Sequence, residues 1–140
     1  MNTEIEKESE GCRLKAYPDP GTGGAPFTIG FGHTQGVQEG ETCTQDQADE
    51  WLIDDLHDAL ATVRHDVIVP LTDNELSALV DFVFNVGGKN FAGSTLLRLL
   101  NEGKYDECAQ QFTRWNKASG HVLAGLTRRR AAEAAMFKSA

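Results

Sequence analysis

Apolar residues recur at helical spacing along much of the chain. Ala48, Trp51, Leu52, Leu56, Ala59, Leu60 and Val63 share one face of a helix that Thr44 begins. Residues 67–71, with Pro70 among them, end it. Leu76, Leu79, Val80, Val83, Phe84 and Val86 make a second, more apolar face. The capping box Thr72-Asp73-Asn74-Glu75 opens that helix and Gly87-Gly88 stops it. So many large apolar side chains in one helix predict the centre of the core. Shorter helices are expected over residues 3–10, 95–101 and 105–117, and from about 127 to 137. In the first, Thr3 and Glu6 suggest a capping box and Gly11 a stop. In the third, Cys108, Ala109, Phe112 and Trp115 face inward, and Ser119-Gly120 breaks the helix. Residues 27–33 alternate instead. Phe27, Ile29 and Phe31 lie to one side of a predicted strand, and Thr28, Gly30 and Gly32 to the other, nearly bare side. The pattern predicts an α+β fold, mostly α, in a chain of 140 residues that makes a single domain.

Charge narrows the function. The net charge is −8 and it is uneven: residues 1–66 carry 14 acids and 4 bases, and residues 67–140 carry 7 acids and 9 bases. An acidic chain is a poor binder of nucleic acid or of an anionic membrane. Arg128-Arg129-Arg130 is therefore read as surface salt bridging, with one arginine beside Glu133. No apolar run is long enough to span a membrane, and no signal peptide is visible in Met-Asn-Thr-Glu-Ile-Glu. Three widely spaced cysteines (Cys12, Cys43, Cys108) make neither a zinc site nor a disulfide framework. The four histidines lack metal spacing, so neither a metal nor an organic cofactor is expected. Gly21-Thr22-Gly23-Gly24 lacks the residues a phosphate loop needs.

The candidate chemistry lies between Glu10 and Thr34. Glu10 falls in the last turn of the opening helix, where the macrodipole is negative, a setting suited to a proton donor. It is equally one of four glutamates on a solvated face. Asp19 sits in the turn Pro18-Asp19-Pro20-Gly21, a place aspartate often occupies for structural reasons alone. Thr28 is the one hydroxyl on the bare strand face, where a long polymer could lie close to the backbone; a strand packed on other backbone is the competing reading. Asp55, on the edge of an apolar stripe, needs a partner, for which His33 is the candidate; a solvated Asp55 beside Asp54 and Asp58 is the alternative.

Glu10-Gly11, Leu14-Lys15-Ala16-Tyr17, Asp19 and Thr28-Ile29-Gly30-x-Gly32-His33 resemble the bacteriophage lysozyme family, glycoside hydrolase family 24. The resemblance extends to residues 82–96, which include Asn85, and to residues 125–137. It implies a two-lobed lysozyme-like fold. The smaller lobe, with a small antiparallel β element, would cover about residues 12–60. Residues 1–11 and 61–140 would form the helical lobe, joined to it by the helix from about residue 44. It implies Glu10 as general acid, Asp19 as partner carboxylate, Thr28 as a hydroxyl placing a water, and a structural His33–Asp55 pair. Asn85 is a candidate sugar contact or a helix-end polar residue.

The implied activity is an endolysin's: inverting hydrolysis of the β-1,4 bond between N-acetylmuramic acid and N-acetylglucosamine in peptidoglycan. A lytic transglycosylase and a non-catalytic wall-binding module are the rivals. The implied partner is the glycan strand, met by a monomer that waits in the host cytoplasm and acts in the periplasm. Some exported relatives use a cysteine at the place of Cys12 for a regulatory disulfide. Phage lysozymes are often basic, and this chain departs from that habit. It also has a longer connection from Asp19 to Thr28 than the compact members. Wall affinity is then expected from the cleft, with weak dependence on salt.

Overall fold

A computed structural model describes residues 1–139. Backbone contacts divide the chain into two compact units, Glu6–His57 and Met1–Ile5 with Asp58–Ala140.

The first unit takes most of α1 (Glu4–Glu10), strands β1 (Arg13–Tyr17) and β2 (Thr28–Gly30), and the first part of the long helix α2 (Gln45–Asp66). At the start of α1, Asn2 Oδ1 accepts a hydrogen bond from the Glu4 N–H at 2.9 Å, a cap the expected Thr3 box did not include. Gly11 ends the helix in the left-handed region (φ 66°), with its N–H donating to the Lys7 carbonyl. The strands pair antiparallel, Arg13 with Gly30 and Tyr17 with Thr28, with an irregular register between the two pairs. Residues 41–43 add a short third edge: the Ala16 N–H donates to the Glu41 carbonyl and the Cys43 N–H to the Leu14 carbonyl. Thr44 Oγ1 caps α2 by accepting from the Gln47 N–H.

The strand expected over residues 27–33 is corrected to three residues. Gly30 (φ 65°) and Gly32 (φ 77°) turn the chain back, and Ile29 and His33 close the turn by exchanging two N–H···O bonds of 2.9 Å each. Apolar alternation arises from such a turn as readily as from a strand. The bare face is not bare either. A β-carbon at Gly30 would meet Ala48 Cβ at 3.2 Å, and one at Gly32 would meet Glu10 Oε2 at 2.8 Å.

The second unit is built on α3 (Asp73–Val86) and α7 (Ala124–Lys138). Around them lie α4 (Gly88–Ala92), α5 (Thr95–Asn101), α6 (Tyr105–Gln111), a 3₁₀ turn at Phe112–Arg114, and a hairpin of β3 (Lys117–Ala118) and β4 (His121–Val122). Thr72 and Glu75 form the expected capping box. Phe82, off the expected stripe, is fully buried, and its ring meets Phe91, Phe112 and Trp115 edge-on. Phe84 is only half-buried. The helix expected over 105–117 stops at Gln111. The chain tightens at Phe112 and reverses through Ser119 (φ 51°) and Gly120 (φ 80°), the two positive-φ residues a tight hairpin requires. The Arg128-Arg129-Arg130 run is corrected as well: Arg129 and Arg130 are buried, not surface residues, and Asp81 and Glu133 lie buried with them. Residues at this depth hold charge only through paired partners.

Candidate active site

Glu10 is half-buried in the last turn of α1. Its carboxyl lies against the Cα of Gly32, where any side chain would intrude. Gly32 belongs to the turn that follows β2. Thr28, at the other end of β2, pairs with Tyr17 at the end of β1. Asp19 comes two residues later in the chain. The backbone of residues 28–32 therefore runs from beside the approach to Asp19 to the seat of Glu10.

The loop after β1 fixes Asp19 through its main chain. The Asp19 N–H donates to the Gly24 carbonyl at 2.9 Å, and the Asp19 carbonyl accepts from the Gly23 N–H at 2.8 Å and the Thr22 N–H at 3.3 Å. Thr22 Oγ1 donates to the Ala25 carbonyl and accepts from the Gly24 N–H, so the extra Gly-Thr-Gly-Gly residues fold on themselves. A β-carbon on Gly21 would approach Asp19 Oδ2 to 3.3 Å. The carboxylate itself, half-buried, makes no hydrogen bond among the described residues. It is thus placed by backbone bonds.

The turn is anchored on α2. His33 Nδ1 lies 2.9 Å from Asp55 Oδ2 and 3.2 Å from Oδ1, and the imidazole stacks on Trp51 at 4.6 Å with an 8° interplanar angle. A ring held in its plane by a stack and at its edge by a carboxylate has little rotational freedom. It fixes the backbone next to Gly32. Asn85 belongs to the other unit, exposed in the last turn of α3. No cluster of three or more potential metal ligands occurs among the described residues.

The sequence pattern missed Gly32 and Trp51 as parts of this arrangement. The G-x-G spacing is compatible with the turn, since two glycines around one apolar residue permit two positive φ angles, but it does not distinguish a turn from a strand. Nothing local signalled the Trp51 stack, because its partner is 18 residues away in the chain.

The family model for phage lysozyme matches residues 7–133. The chain is 40% identical over 138 residues to the endolysin of Acyrthosiphon pisum secondary endosymbiont phage 1, an alignment covering 96% of this chain and 92% of the relative. It is 42% identical to the endolysin of Salmonella phage P22, over 95% of this chain and 92% of that one. Among solved structures, the muramidase domain of SpmX from Asticaccaulis excentricus superposes with a TM-score of 0.90 at 39% identity, covering 99% of this chain and 95% of that one. A mutant of P22 lysozyme gives a TM-score of 0.87 at 38% identity, over 96% and 93% of the two chains.

Proposed function

This chain belongs to the phage lysozyme family and is a peptidoglycan-hydrolysing glycosidase of the endolysin type, and from that membership we propose a muramidase in which Glu10, Asp19 and Thr28 carry the reaction. The bond cut is the β-1,4 link between N-acetylmuramic acid and N-acetylglucosamine. The observation that supports this assignment is the run of backbone from Thr28 to Gly32. One end pairs with Tyr17 just before Asp19, and the other receives the Glu10 carboxyl.

In the proposed reaction protonated Glu10 gives its proton to the glycosidic oxygen as the bond to the anomeric carbon breaks. Asp19 takes a proton from a water that attacks the opposite face, and the Thr28 hydroxyl holds that water in line. The product then emerges with inverted configuration, and Glu10 and Asp19 return to their starting states by exchanging one proton through solvent. The His33–Asp55 pair has a supporting role. The enzyme works as a monomer, accumulates in the host cytoplasm and acts on the wall from the periplasm.

The test is turbidity loss of permeabilised Gram-negative cells. Glu10→Gln lowers the rate by about 10²–10⁴-fold with an unchanged circular dichroism spectrum. A Glu10→Gln variant as active as the parent overturns the assignment. Proton NMR of the first-formed sugar ends reads inversion directly, and a 1,6-anhydro product identifies a transglycosylase instead.

A further inference from the structure

We propose that Gly32 is a positioning residue for the Glu10 carboxyl, and that His33, held by Trp51 and Asp55 of α2, keeps it to that task. The inference rests on Glu10 being the proton donor. A β-carbon built on Gly32 falls 2.8 Å from Glu10 Oε2, 3.4 Å from Cδ and 3.8 Å from Cγ. All three distances are to the carboxyl end of the side chain. The acid therefore occupies the space a β-carbon of Gly32 would need, and a single methyl group there displaces it.

The two glycines of the turn have different tasks. Gly30 opens toward Ala48 and Trp51, which lets α2 approach, whereas Gly32 opens toward Glu10. The seat is kept rigid from behind. The reciprocal Ile29–His33 bonds close the turn, and the stack on Trp51 and the bond to Asp55 hold the His33 ring. Gly36 supplies an internal control. Its φ of 72° matches that of Gly32, but a β-carbon there would meet nothing within 4 Å. Alanine at either position meets the same backbone strain. Alanine at Gly32 alone meets the acid.

The experiment compares Gly32→Ala, Gly36→Ala, Asp55→Asn and Glu10→Gln by steady-state kinetics on purified peptidoglycan, with pH profiles and thermal melts. Both alanine variants are expected to lose similar stability. Gly36→Ala keeps its kcat, whereas Gly32→Ala loses at least about tenfold in kcat at nearly constant KM and its kcat–pH profile shifts, because misplacing a reacting group by a fraction of an ångström has large effects. Asp55→Asn shifts the profile in the same direction by a smaller amount, and carries the test if Gly32→Ala does not fold. Equal kcat losses in Gly32→Ala and Gly36→Ala, or an unshifted profile in folded Asp55→Asn, overturn the proposal. Retained activity in Glu10→Gln instead removes the proton-donor reading, whatever the glycine variants do.

Discussion

Arg129 donates two hydrogen bonds to Asp81, Nε to Oδ2 at 2.9 Å and Nη2 to Oδ1 at 2.6 Å, with both side chains almost sealed from solvent. Beside this pair, Arg130 Nη2 donates to Glu133 Oε2 at 2.7 Å, Arg130 Nε lies 2.6 Å from Oε1, and the guanidinium rests over the Phe82 ring. Burial draws the Arg130 guanidinium below its usual range, opposed by Glu133 and Asp81. Burial, with Asp81 nearby, pushes the Glu133 carboxyl up, opposed by Arg130 and Arg129. Arg129 and Asp81 thus join α7 to α3, while Arg130 and Glu133 pair within α7 against an aromatic core.

Removing one member of this cluster leaves a buried charge without its partner. Asp81→Ala is expected to destabilise the protein by about 3–5 kcal/mol, measured by urea titration. The double variant Asp81→Leu with Arg129→Met replaces charge by apolar volume and recovers most of that loss. A single variant costing less than about 1 kcal/mol would show that the pair carries no such load.

His33→Ala removes both a stack and a hydrogen bond to a carboxylate. It is expected to lower stability at neutral pH by about 1–3 kcal/mol. His33→Gln can still reach Asp55 but cannot stack, so it falls between the two. Denaturant midpoints at pH 7 check the order, and a midpoint for His33→Ala equal to the parent's contradicts it.

The helices were readable wherever burial follows a period. The α2 stripe and the Thr72–Glu75 capping box both correspond to what those segments do, since each is a local property of a few residues. Glu10, Asp19 and Thr28 are candidates because they lie close in the chain, separated by turn formers, in a segment that resembles the phage lysozyme family. What was not readable depends on long-range partners. Nothing near Asp81 in the chain marks it as the partner of Arg129, 48 residues on. The alternation of residues 27–33 suited a strand, and only the approach of Ala48 and Glu10 shows why Gly30 and Gly32 bend the chain instead. The β3–β4 hairpin has two residues in each strand, too few for any period to register.

Thr28 offers a test of the water-placing role apart from Glu10. Thr28→Ala keeps the strand pairing with Tyr17, which uses main-chain atoms, but removes the hydroxyl. It is expected to lower kcat by about 10–100-fold, as for a misplaced reactant. Thr28→Ser restores the hydroxyl and most of the rate. If Thr28→Ser is as impaired as Thr28→Ala, the methyl group's packing rather than the hydroxyl is what matters.

Cys108 sets a prediction in alkaline solution. Its side chain is fully buried, and burial, with a smaller contribution from the Glu75 carboxylate, pushes the thiol up to about 12 from an ordinary 9.0. The unfolded chain therefore loses this proton before the folded one does. A group raised on folding contributes its full share below the unfolded value and loses it as the pH climbs through the folded value. Between about pH 9 and pH 12 this thiol alone should reduce stability by up to about 1.4 kcal/mol per pH unit. Urea titrations of the parent and Cys108→Ala at pH 8.0 and at about pH 10 isolate the difference. The variant begins less stable, because a small cavity replaces sulfur, and then declines less steeply. Thiol labelling gives the matching kinetic picture: in the native protein at pH 8 exposed Cys12 reacts readily, while Cys108 reacts only as the chain opens. Parallel stability slopes for the two chains, or prompt native labelling of Cys108, would contradict this account.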